Sequence, residues 1–192
     1  MTLVVPTRAK EEMGFSLCMT KPARPSDPNK ASGVPRTFFV TSSASGGRCI
    51  LQSERMAMRL IDVLRSNMGS GRFTVHDFVV MPNHIHVLLT IPGTTTIERT
   101  MQLIKGGFSY RAQKELGVRG EIWQRGFSDV RITNEQSFRE HQSYLAMNPV
   151  KAGLASSPEE YPFGSAFLKK LKREGAKAHD NSGVYGTTEV VP

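Results

Sequence analysis

The sequence from Phe73 to Thr90 reads FTVHDFVVMPNHIHVLLT and carries the strongest fold signal in the chain. Two runs of β-branched and apolar residues flank a Met-Pro-Asn turn, a pattern that predicts a β-hairpin near the centre of a sheet. Because side chains alternate along a strand, His84 and His86 are expected on one face and Ile85 on the other. Two imidazoles on one strand face form half of a divalent-metal site, although core histidines with satisfied hydrogen bonds would give the same pattern.

Length, charge and cysteine content limit the classes of protein that the chain can belong to. Its 192 residues suit one domain with a core of its own. The net charge of +8 suggests a polyanionic partner, but much of the excess of Lys and Arg lies in residues 1–36 and 169–192. The two cysteines form no CxxC motif, and neither a signal peptide nor an apolar run of about 20 residues is present. These features predict a cytoplasmic protein that does not enter a membrane.

Composition divides the chain into three parts. Residues 1–35 contain five prolines and no sustained periodicity, which predicts a disordered leader. Residues 36–168 are expected to form one domain. Residues 169–192 begin with a basic cluster and continue as a Gly- and Thr-rich segment, and we expect this tail to be disordered as well.

The order of the predicted elements indicates an α+β fold. Strand patterns alternate with helical patterns around the central hairpin. We predict a strand at 38–41, a helix capped by Ser53, and a helix over 97–116 that is interrupted at Gly106 and Gly107. Thr133 with Gln136 has the spacing of a capping box and opens a third helix. This order predicts a ferredoxin-like sandwich in which a central antiparallel sheet carries the His-x-His motif and the helices lie on one face.

The third predicted helix holds a second set of polar residues. Tyr144 and Asn148 are four residues apart and therefore lie on the same helix face. Because Pro149 disfavours helical backbone at the preceding residue, Asn148 is expected at or just past the helix end. Tyr144 can be read as a half-buried core residue with a solvated hydroxyl, or as a nucleophile.

The nucleophile hypothesis requires a partner for the phenol. A metal held by two imidazoles and the amide oxygen of Asn148 could polarise a phosphodiester for attack by Tyr144. Phosphate chemistry favours Mg²⁺ or Mn²⁺ in such a site. The chain contains no Walker loop, no HExxH and no Gly-x-Ser-x-Gly motif that would indicate other chemistry.

Three motifs stand in this order along the chain: VMPNHIHVL at 80–88, IWQRGF at 122–127 and YLAMNPVKAGL at 144–154. Together they resemble the motifs of the REP-associated tyrosine transposases, bacterial relatives of the single-tyrosine HUH transposases. The resemblance covers roughly residues 36–168. The chain departs from the family at Ser128-Asp129, where many relatives have a histidine before the acid.

The resemblance implies a metal-dependent endonuclease and strand transferase acting on single-stranded DNA. By motif match, His84, His86 and Asn148 become ligands of Mg²⁺ or Mn²⁺, and Tyr144 becomes the nucleophile that forms a 5′-phosphotyrosine. Family members bind DNA hairpins formed by repeated extragenic palindromes, so a nucleoid-associated protein is expected, either monomer or homodimer.

Basic side chains should border such a site. We predict that Arg125, Arg131 and Lys151 contact DNA. We also predict that the Lys169–Arg173 cluster adds non-specific affinity for it.

Two alternatives remain open at this point. A domesticated relative could bind DNA hairpins without cleaving them, although such a binder has no need of both the histidines and the tyrosine. A metal-dependent hydrolase could use an activated water in place of Tyr144. Among the other tyrosines, Tyr110 has no candidate metal ligand at helical spacing. Tyr161 precedes Pro162 in a segment expected to pack on the domain, and Tyr185 lies in the tail that is expected to be disordered.

Overall fold

The structure is a computed structural model, and it describes residues 32–180. A four-stranded antiparallel sheet has the strand order β2-β3-β1-β4. In chain order, the strands and α-helices of the described residues are β1 (Arg36–Ser43), α1 (Glu54–Gly69), β2 (Thr74–Met81), β3 (His84–Ile91), α2 (Ile97–Leu116), β4 (Ser128–Ile132), α3 (Glu135–Lys151) and α4 (Ser165–Asp180). The first six follow the β-α-β-β-α-β order of a ferredoxin-like sandwich, so the predicted α+β fold class is confirmed. The predicted hairpin forms as well, with β3 inside the sheet and β2 at its edge.

Helices α1 and α2 pack on one face of the sheet and enclose the larger core. The predicted cap of α1 is present, because the side chain of Ser53 accepts a hydrogen bond from the backbone N–H of Met56. The predicted interruption of α2 at Gly106 and Gly107 is wrong, since the helix runs unbroken through both residues. A Cβ atom at Gly107 would lie 3.4 Å from the side chain of Val63 on α1, so packing between the helices outweighs the low helix propensity of glycine.

Helix α3 lies on the opposite face, against β2 and β3. The expectation that the helices share one face therefore holds for α1 and α2 only. A smaller core forms between α3 and the sheet, and it includes Phe39, Leu88, Leu145 and Tyr161. The physical reason is that β1 and β3 are apolar on both faces, so each face needs a covering layer.

Both ends of α3 differ from the predicted ones. The N-cap is Asn134, whose side chain accepts a hydrogen bond from the N–H of Ser137, and the capping box expected at Thr133 is not used. At the other end the helix continues through Pro149 to Lys151. Proline removes only one backbone donor there, close to the helix end, so Asn148 lies inside α3 one turn after Tyr144.

The segment between α3 and α4 packs along the outer edge of β2. The N–H of Val80 donates to the carbonyl of Phe163, and the hydroxyl of Tyr161 donates to the carbonyl of Val80. The side chain of Ser165 accepts from the N–H of Phe78 and donates to its carbonyl. One terminal strand of the sheet is thereby covered by the chain itself.

Helix α4 corrects the predicted boundary at Lys169. Residues 169–180, expected as the start of a disordered tail, are helical, because α4 begins at Ser165 and its first turns are held on the domain by Leu168 and by the ion pair of Lys169 with Asp77. The rest of that tail and nearly all of the predicted leader lie outside the described residues. Within residues 32–180, no helix combines the length and the apolar character needed to cross a membrane.

Candidate active site

The two histidines of the hairpin face each other on the α3 side of the sheet. Their Nε2 atoms lie 3.1 Å apart. Each Nδ1 atom has an oxygen partner at 2.7 Å: the side-chain oxygen of Asn83 for His84, and the hydroxyl of Thr41 for His86. The alternation of β3 produces this pairing, and β1 supplies Thr41 directly opposite His86 in the register.

These contacts constrain where the ring protons lie. An amide oxygen only accepts, so Nδ1 of His84 carries a proton and the Nε2 atom of the neutral ring has a free lone pair. A hydroxyl can donate or accept, so Thr41 is compatible with either tautomer of His86. Two lone pairs 3.1 Å apart would repel each other, and either a proton on Nε2 of His86 or a shared cation removes that repulsion. The arrangement therefore fits the first half of a metal site.

Burial keeps both rings neutral. It lowers the pKa of His84, and together with the neighbouring His84 it lowers the pKa of His86 to about 3. Neutral imidazole is the form that binds a metal ion, and the histidines are therefore ready to bind one at neutral pH.

The ring of Tyr144 lies beside the histidines. Its centroid is 5.4 Å from that of His86 and 5.8 Å from that of Phe39, on which His86 also stacks. His141 of α3 also contacts Phe39, with ring centroids 4.7 Å apart. Phe39 thus fixes the relative position of β3 and α3 where the tyrosine meets the histidines.

A third ligand for a metal bound by His84 and His86 would have to come from a residue other than His, Cys, Asp or Glu. Among residues 32–180, no group of three or more His, Cys, Asp or Glu residues could hold a metal ion. The half-buried Asn148 lies one turn after Tyr144 on α3, on the same flank of the helix. Its amide oxygen is a donor that Mg²⁺ and Mn²⁺ accept.

The predicted basic residues do not all border this site. The ammonium group of Lys151 lies 5.9 Å from the centre of the Tyr144 ring. Arg125 is exposed in a loop whose residue Gln124 donates its N–H to the carbonyl of Ser43, the residue paired with His84.

Arg131 does not lie on the histidine face. It pairs with Phe38, whose side chain belongs to the core under α1 and α2, so alternation directs Arg131 to that side of the sheet. The strand register thus contradicts the expectation that Arg131 borders the histidines, while its contact with DNA stays a prediction.

Two other described tyrosines lie away from the histidines. The hydroxyl of Tyr161 is buried against the carbonyl of Val80, and burial raises its pKa. Tyr110 is exposed on α2. Tyr185 lies outside the described residues.

Sequence reasoning missed the residues that support the site. Thr41, Asn83 and Phe39 contact the histidines or the tyrosine, yet only Asn83 stood within a recognised motif. Thr41 and Phe39 are two residues apart on β1, and this spacing predicts that they share one strand face. The partner strand that defines that face cannot be read from β1 alone.

Comparisons with known proteins give a consistent picture. Residues 46–148 match the family described as "Transposase IS200 like". A REP-associated tyrosine transposase of Escherichia coli K12 is 31% identical over 138 residues, which cover 71% of this chain and 79% of that protein. A REP-associated tyrosine transposase solved bound to a REP hairpin shares the fold, with a TM-score of 0.59 and 24% identity over 91% of this chain and 93% of that chain.

Proposed function

Because the chain belongs to the IS200-like transposase family, among the REP-associated tyrosine transposases, we propose that it cleaves and rejoins single-stranded DNA at hairpin-forming repeats. Membership of the family implies a DNA-cleaving enzyme. The proposal adds the substrate, the nucleophile and the covalent intermediate. In it, Tyr144 is the nucleophile, and His84, His86 and Asn148 hold a divalent cation.

One observation carries the proposal. The two Nε2 atoms lie 3.1 Å apart on the same side of the sheet as Tyr144, whose ring is 5.4 Å from that of His86. A core histidine pair would have no need of a tyrosine beside it, and a pure DNA binder would need neither. The juxtaposition of a cation-binding pair and a phenol is what transesterification of a phosphodiester requires.

The reaction follows from the chemistry of the phenol. Its oxygen attacks the phosphorus, an O–P bond to Tyr144 forms, and the P–O3′ bond breaks. The phenolic proton passes to the departing 3′ oxygen, so the products are a 5′-phosphotyrosine and a free 3′-hydroxyl. No water is consumed, and a 3′-hydroxyl can attack the phosphotyrosine to rejoin a strand.

The donor set fits Mn²⁺ or Mg²⁺. Thr41 and Asn83 hold the outer nitrogens of the two rings and so orient both Nε2 atoms, as partners of metal-binding histidines commonly do. A bound cation would polarise the phosphodiester and stabilise negative charge on the departing oxygen. The mixed nitrogen and oxygen donors favour Mn²⁺ in vitro.

DNA binding is assigned to the basic groups around this site. Lys151, next to the Tyr144 ring, and Arg125, in the loop beside the end of β1, are in position to contact phosphates. Lys105 donates to the carbonyls of Gln124 and Gly126 and holds this loop in place. Arg131, on the other face, would contact only a strand that passes around the edge of β4.

Tyr144→Phe provides the direct test. The variant keeps the ring and its contacts with Phe39 and His86 but lacks the attacking oxygen. The protein is incubated with Mn²⁺ and labelled single-stranded oligonucleotides that contain the hairpins flanking its own coding region. Wild type should give a protein–DNA adduct that survives a denaturing gel, and Tyr144→Phe should give none while binding the hairpin with unchanged affinity.

Tyr110→Phe is the matched control, since it removes a phenol that is exposed on α2. It should form adduct at the wild-type level. Adduct formation by Tyr144→Phe would refute the assignment of the nucleophile. Hairpin binding by wild type without cleavage would indicate a non-catalytic binder, and cleavage without an adduct would indicate a hydrolase.

A further inference from the structure

A buried carboxylate connects three elements next to the proposed site. Asp77 of β2 is 5% exposed and lies at a β-bulge, where the pairing with β3 shifts by one residue. Alternation along β2 places Asp77 on the face of Val79 and Met81, which α3 covers, and His76, the extra residue of the bulge, contacts Phe138 of α3. A buried charge requires hydrogen-bonding partners, and here these come from two helices.

The partners divide between the two oxygens of the carboxylate. Gln142 of α3 donates to Oδ2. Ser165 donates to Oδ1 at 2.7 Å, and Lys169 forms an ion pair with the same oxygen. The carboxylate is therefore held from one side by α4 and holds α3 on the other.

The position of Gln142 on α3 gives this contact a geometric consequence. Gln142 precedes Tyr144 by two residues, so the two side chains leave the helix about 200° apart. One flank of α3 is bound to β2 through Gln142, and the other flank meets β3 through Tyr144 and His86. The contact with Asp77 thus restrains the rotation of α3 about its own axis.

We propose that Asp77 and Gln142 are positioning residues that set the rotation of α3 and thereby aim the hydroxyl of Tyr144. This inference rests on the proposed function and adds to it residues outside the recognised motifs. A hydroxyl roughly 9 Å from the helix axis moves by about 1.5 Å when the helix rotates by about 10°. A displacement of about 1 Å can slow a reaction by about 100-fold.

Gln142→Glu tests the proposal, because it places a second carboxylate against Asp77. We expect the single-turnover rate of adduct formation, measured with Mn²⁺ and the flanking hairpin oligonucleotides, to fall by at least about 10-fold. Affinity for the hairpin should stay within about 3-fold of the control. Asp77→Asn combined with Gln142→Glu restores a donor–acceptor pair with the roles exchanged, and should return the rate to within about 3-fold of wild type.

The matched control is Gln136→Glu, which adds the same charge to an exposed position of α3. Gln142→Met removes the hydrogen bond without adding charge, and it should also slow adduct formation. It serves as the test variant if Gln142→Glu does not fold. All rates are measured well below each variant's Tm. If Asp77 and Gln142 contributed only to folding stability, the Gln142 variants would form adduct at the same rate as Gln136→Glu.

The outcomes separate the two proposals. Wild-type rates in Gln142→Glu or Gln142→Met, or failure of the double variant to recover, would overturn the positioning role while leaving the proposed function intact. Wild-type protein that binds the hairpin without forming an adduct would overturn both.

Discussion

Thr41 is the residue whose change most directly tests the geometry of the histidine pair. Its hydroxyl lies 2.7 Å from Nδ1 of His86, and both side chains are buried. Thr41→Val keeps the branched shape and removes the hydroxyl. With a cation on Nε2, the Nδ1–H of His86 would then have no acceptor.

Two magnitudes follow from this contact. Loss of an outer partner of a metal-binding histidine typically weakens metal affinity by about 10- to 100-fold, which corresponds to about 1.4–2.8 kcal/mol. A buried donor left without a partner costs about 1–3 kcal/mol of folding stability. We therefore expect weaker Mn²⁺ binding and a lower Tm, with adduct formation restored at high Mn²⁺ concentration.

Isothermal titration with Mn²⁺ measures the first effect without relying on catalysis. Thr37→Val is the matched control, because Thr37 lies on the same strand and face and its hydroxyl bonds to that of Thr90 at 2.7 Å. It should lose stability without changing Mn²⁺ affinity. Equal Mn²⁺ affinity in Thr41→Val and wild type would refute the role given to the hydroxyl.

Two further predictions concern stability. Because burial lowers the pKa of His86 from about 6.5 in the unfolded chain to about 3, the unfolded state binds the additional proton as pH falls below 6.5. The free energy of unfolding should therefore decrease toward acid pH by up to about 1.4 kcal/mol per unit from this group. Urea denaturation at pH 5 and pH 7 should show a smaller difference in His86→Gln than in wild type, and equal differences would contradict the assignment. Gly106→Ala should stabilise the protein by about 0.5–1 kcal/mol, since a Cβ there meets no atom within 4 Å in the middle of a helix, and a decrease in Tm would show that the site is more crowded than described.

The sequence predicted those features that depend on local periodicity. Alternation along β3 was enough to bring His84 and His86 together, and helical spacing was enough to put Tyr144 and Asn148 on one flank. The break expected at Gly106 and Gly107 is absent because α2 packs on α1, where Gly107 lies against Val63, and this tertiary contact outweighs the low helix propensity of both glycines.

Features that depend on which strands pair could not be predicted from local periodicity in the sequence. Arg131 is one of the basic residues predicted to border the site, but its face is set by its pairing with Phe38, which the sequence alone does not give. The placement of α3 opposite α1 and α2 also depends on the sheet, since both of its faces are apolar. The role of Asp77 could not be recognised because its partners Gln142, Ser165 and Lys169 lie on helices far along the chain, and no local pattern predicts these contacts.

The coverage of β2 has a consequence for assembly. Unpaired strand edges invite a second chain to add a strand, which leads to dimers or aggregates. In this chain the outward-facing groups of Phe78 and Val80 are already bonded to Tyr161, Phe163 and Ser165. Of the two terminal strands, β4 is then the one by which the sheet could be extended, and the exposed Asp129 and Arg131 place opposite charges along it. Addition of a second chain along this part of β2 is thus blocked by the protein's own chain.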